Sequence, residues 1–256
     1  MSSTHPQGQN ALMSTVEGED LRGTRYVDCQ LDGAEFREVT MVGARFVGSV
    51  MIDVEIDCLV QNVTVNGVDV VPLVEAELDR RHPERLALRP TDVVGVLAAL
   101  DVVDDLWSPT LDRVRALPEE LRYERVRDEW SFVETLRHMV HVYDGWFGSA
   151  VLGEAEPYHP LGLTASFLDP ADFGIDPDLR PALDDVLAAR RDRQQQVRDH
   201  VRTLGDEGLI ATVPTHGVLG FPPDEERSTL DCLKVILDEE WAHHRFAVRD
   251  LDVLTA

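Results

Sequence analysis

Residues 233–251, close to the end of the chain, read LKVILDEEWAHHRFAVRDL. Within this stretch, six residues follow one another at spacings of four, three, four, three and four. They are Leu233, Leu237, Glu240, His244, Ala247 and Leu251. This spacing follows the turn of an α-helix, so it predicts one helical stripe that faces a core. Its two middle members are a carboxylate and an imidazole, which are unusual in such a position.

The polar pair in this stripe predicts a metal site. Burying an unpaired carboxylate is costly, so Glu240 and His244 need a partner. One metal ion bound by both side chains, four residues apart, is the simplest solution. The alternatives are a buried hydrogen bond between Glu240 and His244, or a stripe that opens to solvent at this level. His243 lies about 60° away from the stripe, which predicts a place outside the ligand set.

Three further segments with helical periodicity precede this one, so the sequence predicts a four-helix bundle. Thr91 or Asp92 is expected to cap the first helix, and Ser228 or Thr229 the last. Pro109 indicates a kink or break in the first helix. The predicted helices span approximately residues 92–114, 131–152, 182–204 and 229–254.

The connections between these helices are long. Residues 154–181 are rich in Pro and Asp, and connections of this length are often functional lids or crossovers. Residues 205–227 hold another loop, with room for a short hairpin. Before the bundle, a short helix over residues 73–81 is expected between Pro72 and Pro83.

The N-terminal part of the chain has a period of five, which fits neither a helix nor a strand. A small or β-branched residue stands two places before each of the last seven repeat positions. This stretch resembles the pentapeptide-repeat family, which implies a right-handed β-helix with about four repeats per coil. The apolar repeat positions are Leu21, Tyr26, Leu31, Phe36, Met41, Phe46, Met51 and Ile56.

The repeat would form only about two coils, although coils stabilise mainly by stacking on their neighbours. After Ile56 the phase slips by one residue, and Val60, Val65 and Val70 resume the period. We expect a cap or docking module, and mimicry of DNA is disfavoured because the repeat is short. The predicted α+β organisation is a flexible tail (1–18), a β-helix (19–70), a linker helix (71–89) and a bundle (90–256).

The third ligand of the metal site is expected from the second helix. His138 lies at the edge of the apolar arc, about 40° from Val142, whereas His141 lies farther out. His138 is therefore the better candidate. Glu134, one turn earlier, could compete as a ligand or orient the His138 ring.

Two segments together resemble the DinB-like metalloprotein superfamily. They are WSFVETLRH at residues 130–138 and EWAHHR at residues 240–245. The resemblance implies one histidine on the second helix and a pair of ligands four residues apart on the last. Most members use three histidines, and a glutamate at the first position of the pair is similar to the mycothiol-dependent maleylpyruvate isomerase branch. The implied ligands are His138, Glu240 and His244.

The resemblance also implies a chemistry. Three protein ligands leave a coordination position open, as in catalytic zinc sites, although iron or nickel would also suit. The implied activity is a thiol S-transferase or isomerase that uses mycothiol or a similar thiol on a small electrophile. His141, Tyr143 and His243 are candidates for the general acid or base. The alternative is a non-catalytic protein that is stapled by a metal and docks through its β-helix.

The composition narrows the partners and the compartment. Acidic residues outnumber basic ones 48 to 24, giving a formal charge of -24. Such a charge repels nucleic acids and anionic membrane surfaces, so a small molecule is the expected partner. Three unpaired cysteines and the lack of a signal peptide or membrane span predict a soluble cytoplasmic protein. Pairing of the exposed ends of the repeat would give a homodimer.

Overall fold

A computed structural model describes residues 15–213, residue 222 and residues 225–256. Most of the predicted tail, residues 1–18, lies outside the described residues. The chain divides into two compact units, with the boundary between Val50 and Met51. This boundary falls inside the segment that the sequence assigns to the β-helix. All the helices and strands that the structure describes belong to the second unit.

The period of five is visible in the backbone of the repeat. A left-handed backbone conformation recurs at every fifth residue, and glycine occupies five of these eight positions because it has no Cβ to clash. A hydrogen bond closes the turn at Thr24 N to Leu21 O, and again ten and twenty residues later. The left-handed positions are Gly18, Gly23, Asp28, Gly33, Glu38, Gly43, Gly48 and Asp53.

The side chains of the repeat do not form a closed β-helix. The apolar residues expected to point inward are exposed, from 44% for Met41 to 72% for Ile56. Among the described residues between 15 and 62, no strand forms and no backbone hydrogen bond joins successive coils. In about two coils each coil has only one neighbour, so most of the stacking that stabilises longer solenoids is missing.

A short hairpin and a helix link the repeat to the bundle. Strands β1 (Thr64–Val65) and β2 (Val68–Asp69) pair antiparallel around an Asn-Gly turn, in which both residues have positive φ. Helix α1 (Val71–Arg81) follows, with a proline in its first turn, and agrees with the predicted helix.

The predicted four-helix bundle is present. Its helices begin where the sequence places a capping side chain. Asp92 accepts a hydrogen bond from Gly95 N at 2.7 Å, and Ser131 and Ser228 each form a capping box. The helices are α2 (Val93–Arg115), α3 (Phe132–Tyr143), α4 (Leu183–Leu209) and α5 (Thr229–Leu254).

The helices surround one apolar core. Helix α2 packs against α4 and α5, and α3 packs against the same two helices. Helices α2 and α3 therefore occupy opposite corners, and side chains from α4 and α5 can meet between them. Within the described part of the chain, no helix combines the length and the apolarity that a membrane crossing requires.

Helix α2 continues through Pro109, so the predicted break is not found. Its core face is buried on both sides of the proline, by Val103 and Trp107 before it and by Val114 after it. This packing holds the helix together where the proline removes one backbone hydrogen bond.

Helix α3 ends in a π-helical turn over Asp144–Ser149, where the sequence predicts a continuous helix to about residue 152. Leu152 N donates to Phe147 O at 2.9 Å, five residues earlier. A Cβ at Gly148 would lie 2.7 Å from Pro157 Cβ, so glycine lets the following loop pack against this turn. Such turns are frequent at functional sites.

A second hairpin precedes the last helix. Strand β3 (Thr212–Val213) pairs antiparallel with β4 (Arg227–Ser228), which leads directly into α5. The hairpin expected in this region is therefore present at its base.

Candidate metal centre

The start of α3 is fixed by its capping box. Glu134 Oε2 accepts hydrogen bonds from Ser131 N at 2.8 Å and from Ser131 Oγ at 2.7 Å. Arg125 also donates to this carboxylate. Glu134 therefore serves the helix terminus, and the structure does not place it as a ligand or as the group that orients His138.

His138 is buried, and its imidazole is held by the crossover loop between α3 and α4. His138 Nδ1 lies 3.1 Å from the carbonyl oxygen of Leu163. A carbonyl oxygen only accepts, so Nδ1 carries the proton and Nε2 keeps its lone pair for another ligand. Burial, with His243 and His141 acting in the same direction, lowers the pKa of His138 well below its usual value. The ring is thus neutral, as metal binding requires.

His138 meets two side chains of α5. One ligand atom each from His138, Glu239 and His243 lies within 4.8 Å of the others. His243 Nε2 is 3.1 Å from Glu239 Oε2, and the rings of His138 and His243 have centroids 4.9 Å apart. The side chains of His243 and Glu239 are 14% and 37% exposed, so the group is reachable from one side. In the described part of the chain, it is the one group of three such side chains with this geometry.

Trp130 covers part of the two imidazoles. Its ring stacks on His243 at 5.8 Å and approaches His138 at 4.5 Å between centroids. The residue follows a turn in which Arg127 and Asp128 both have positive φ, a conformation that costs free energy for side chains with a Cβ. The tight turn brings Trp130 back onto the start of α3.

Glu240 does not lie with His138. It is fully buried and faces the centre of the bundle, where Arg190 of α4 binds it through Nη2–Oε2 at 2.6 Å and Nε–Oε1 at 3.1 Å. Tyr143 of α3 donates to Oε1 at 3.0 Å, and Arg190 also lies over the ring of Trp107 of α2. The buried carboxylate thus has a partner, and it is an arginine rather than a metal ion. All four long helices contribute to this cluster.

His244 also lies apart from the group formed by His138. Its Nε2 is 2.9 Å from Thr110 Oγ1, and its ring packs edge-on against Trp107 at 5.1 Å. The structure therefore brings together one residue of the predicted ligand set, His138. In place of Glu240 and His244 it offers Glu239 and His243, each one residue earlier.

The stripe pointed to the wrong pair because it measures burial alone. Arg190 could have been recognised from the sequence, since it stands in the buried stripe of α4 between Leu187 and Gln194. Glu239 and His243 have the same spacing as Glu240 and His244. An overlapping second pair was thus the available signal.

The three candidate acids or bases lie in different surroundings. His243 belongs to the ligand group. Tyr143 binds Glu240 in the core, and burial raises its pKa well above the usual value. His141 stacks on Tyr158 at 5.1 Å and lies 6.4 Å from His138, and burial lowers its pKa to about 4. Of the three, only His141 lies beside the group without belonging to it.

The donor set fits a divalent metal. Two imidazoles and one carboxylate are a common ligand set of catalytic zinc and of ferrous iron. His138 is held by a second hydrogen bond to a backbone carbonyl, as metal-binding histidines usually are. Glu239 and His243 share one face of α5 because they are four residues apart.

The family model of the DinB superfamily matches residues 102–247, which include His138, Glu239 and His243. Among curated proteins and among solved structures, nothing matches the chain significantly. The match covers more than half of the 256 residues and extends from α2 into α5. With its four-helix bundle and with a histidine on α3 facing a ligand pair on α5, this chain belongs to the DinB superfamily.

Proposed function

We propose that this protein is a metal-dependent thiol S-transferase or isomerase that acts on a small electrophilic molecule. The observation that carries the proposal is the His138, Glu239 and His243 group on a DinB-superfamily bundle. Zinc is the first choice of metal, and iron or nickel would accept the same donors. Mycothiol or a similar low-molecular-weight thiol would be the second substrate.

The protein side chains would divide the work as follows. His138 and His243 would bind the ion through imidazole nitrogens, and Glu239 through a carboxylate oxygen. A bound divalent metal would supply Lewis acidity and lower the pKa of a thiol or water at its open position. His138 stays neutral because it is buried, and the Leu163 carbonyl keeps its proton on Nδ1. Trp130 would shield the two imidazoles from water on one side.

Elemental analysis of the purified chain and of three variants tests the metal centre. We expect close to one ion per chain in the wild type, and loss of the ion in His138→Ala and in His243→Ala. His244→Gln is the matched control, because it alters the neighbouring imidazole, which contacts Thr110 instead. Loss of metal in His244→Gln but not in His243→Ala would restore the ligand set expected from the sequence.

The thiol step has its own test. The protein is loaded with Co²⁺, and its visible absorption is followed during titration with a small thiol. A shift that saturates with thiol supports the transferase, since it requires an open coordination position. An unchanged spectrum contradicts that activity while leaving the metal centre itself intact.

The alternative is a non-catalytic protein in which the metal only staples the bundle. The exposed apolar side chains of the repeat favour it, because a row of such residues is typical of a contact surface. Residues 19–70 would then close into a β-helix on a partner, with a second copy of the chain as the simplest case. Light scattering that gives one chain per particle at micromolar concentration would count against the dimer.

A further inference from the structure

Arg137 stands directly before His138 in α3 and has an unusual environment. Its side chain is fully buried, although burial opposes its charge and lowers the pKa of the guanidinium. In the described part of the chain, all of its acceptors are backbone oxygens. Nε donates to Leu161 at 3.1 Å, Nη2 to Gly162 at 2.9 Å and Asp176 at 2.6 Å, and Nη1 to Pro177 at 3.1 Å and Leu179 at 2.7 Å.

This arrangement uses all five N–H groups of the guanidinium. Burying a charge is costly unless it is fully hydrogen-bonded, so a methionine could fill the same space at a lower cost. The five bonds therefore indicate a task beyond packing. They reach two separate stretches of the crossover loop, residues 161–162 and 176–179, and thus clamp the loop on both sides of the segment between them.

The clamped loop contacts the metal centre at Leu163. Leu163 N donates to the backbone oxygen of Arg137 at 3.1 Å, and Leu163 O accepts from His138 Nδ1 at 3.1 Å. One carbonyl, held in place from both sides, thus decides which nitrogen of His138 carries the proton. The other nitrogen is the one that a metal needs.

We infer that Arg137 is a positioning residue of the metal centre: its guanidinium fixes the crossover loop so that the Leu163 carbonyl holds His138 with Nε2 free. The inference rests on the proposed function for its purpose, but its structural part concerns the metal-free chain. Without the clamp, the carbonyl would leave Nδ1 and the ring would populate both neutral tautomers.

The first test is the tautomer of His138 in the metal-free, full-length protein. Histidine is labelled with ¹⁵N, and His138→Gln assigns the signal. We expect a protonated Nδ1 in the wild type and a mixture of tautomers in Arg137→Met. A wild-type ring protonated on Nε2, or an unchanged Nδ1–H form in the variant, overturns the inference.

The second test is the affinity for Zn²⁺, measured by competition with a chelator. Loss of a group that orients a ligand typically weakens metal binding by about 10-fold to 100-fold, which is the expectation for Arg137→Met. Arg125→Met is the matched control, since Arg125 also contacts α3 but binds only the exposed side of Glu134. Its affinity should stay within about twofold, and equal losses in the two variants would contradict the inference.

Arg137→Lys decides the question if Arg137→Met does not fold. Lysine keeps the charge but offers three N–H groups on one nitrogen, so it cannot span both stretches of the loop. We expect a folded protein with a mixture of tautomers; wild-type behaviour would show that charge alone suffices. A wild type that binds no metal refutes the proposed function, whereas the tautomer result judges the role of Arg137 separately.

Discussion

Two Glu–His pairs overlap on α5, one residue apart, and the fold gives them different surroundings. Glu239 and His243 face α3 and stay partly exposed beside His138. Glu240 is fully buried and bound by Arg190, while His244 contacts Thr110. The comparison teaches that a buried carboxylate does not identify a metal ligand by itself. Its neighbours decide, because a cation that already neutralises the charge leaves nothing for a metal to do.

The inner pair sets the rotation of α5, and the outer pair depends on it. Consecutive residues on a helix lie about 100° apart, so fixing Glu240 against Arg190 also fixes the direction of Glu239. The ion pair joins α4 and α5, which stand at opposite corners of the bundle. We therefore regard the inner pair as structural and the outer pair as functional. Four substitutions test this division.

The largest effect is expected from Arg190→Met, which leaves the Glu240 carboxylate buried without its cation. Breaking a buried ion pair in this way costs about 3–5 kcal/mol of the free energy of unfolding. Urea denaturation of the metal-free protein at pH 7 measures it. Arg191→Met, at the exposed neighbouring position, should change stability by less than about 0.5 kcal/mol. A loss below about 1 kcal/mol for Arg190→Met would show that the inner pair is not structural.

The second effect concerns pH and the buried imidazole beside the outer pair. The pKa of His141 is about 4 in the folded protein and 6.5 in its model state, so the unfolded chain binds more protons between these values. Stability is therefore lost as the pH falls from about 7 to 4, by about 3 kcal/mol from this residue. His141→Phe should lack this component in metal-free urea denaturation. Parallel pH profiles for variant and wild type would contradict the assignment.

Glu239→Ala should separate metal binding from stability. Loss of a direct ligand should weaken Zn²⁺ binding by at least about 100-fold, or about 2.8 kcal/mol, more than the loss of an outer group. The metal-free stability should change by less than about 0.5 kcal/mol, because the side chain is partly exposed. Asp252→Ala on the same helix is the control. An unaltered affinity would remove Glu239 from the ligand set.

The smallest effect is expected from Thr110→Val. This change removes the hydroxyl that contacts His244 Nε2 and should lower stability by about 1 kcal/mol. Metal content should be unchanged, because this contact belongs to the inner pair. Metal loss in Thr110→Val would mean that the two pairs are not independent.

The helices could be predicted because their signals are local. Asp92, Ser131 and Ser228 cap the helices that the apolar periodicity predicts, and each makes the expected bond. The π-helical turn after Tyr143 could not be predicted, since it arises where the helix meets its following loop. In the repeat, the period predicts the backbone turns, whereas packing depends on neighbouring coils that a short segment lacks.

The site could be predicted only in part. His138 was found because it lies at the edge of an amphipathic face, next to the core yet able to reach a ligand. The choice between the two pairs on α5 required the position of Arg190, which is a tertiary contact. The Leu163 carbonyl, which orients His138, carries no side-chain signal at all. Backbone groups in long loops are beyond the reach of motif reasoning.

The π-helical turn at Asp144–Ser149 also has a consequence for chain length. A turn that bonds five residues back holds one residue more than an α-helical turn of the same rise, so it is equivalent to a one-residue insertion. Deleting Gly145 could restore α-helical bonding, but it would turn everything after it by about 100° relative to α3. Trp146 and Phe147 would then leave the core. The length of this segment is therefore constrained as tightly as its composition.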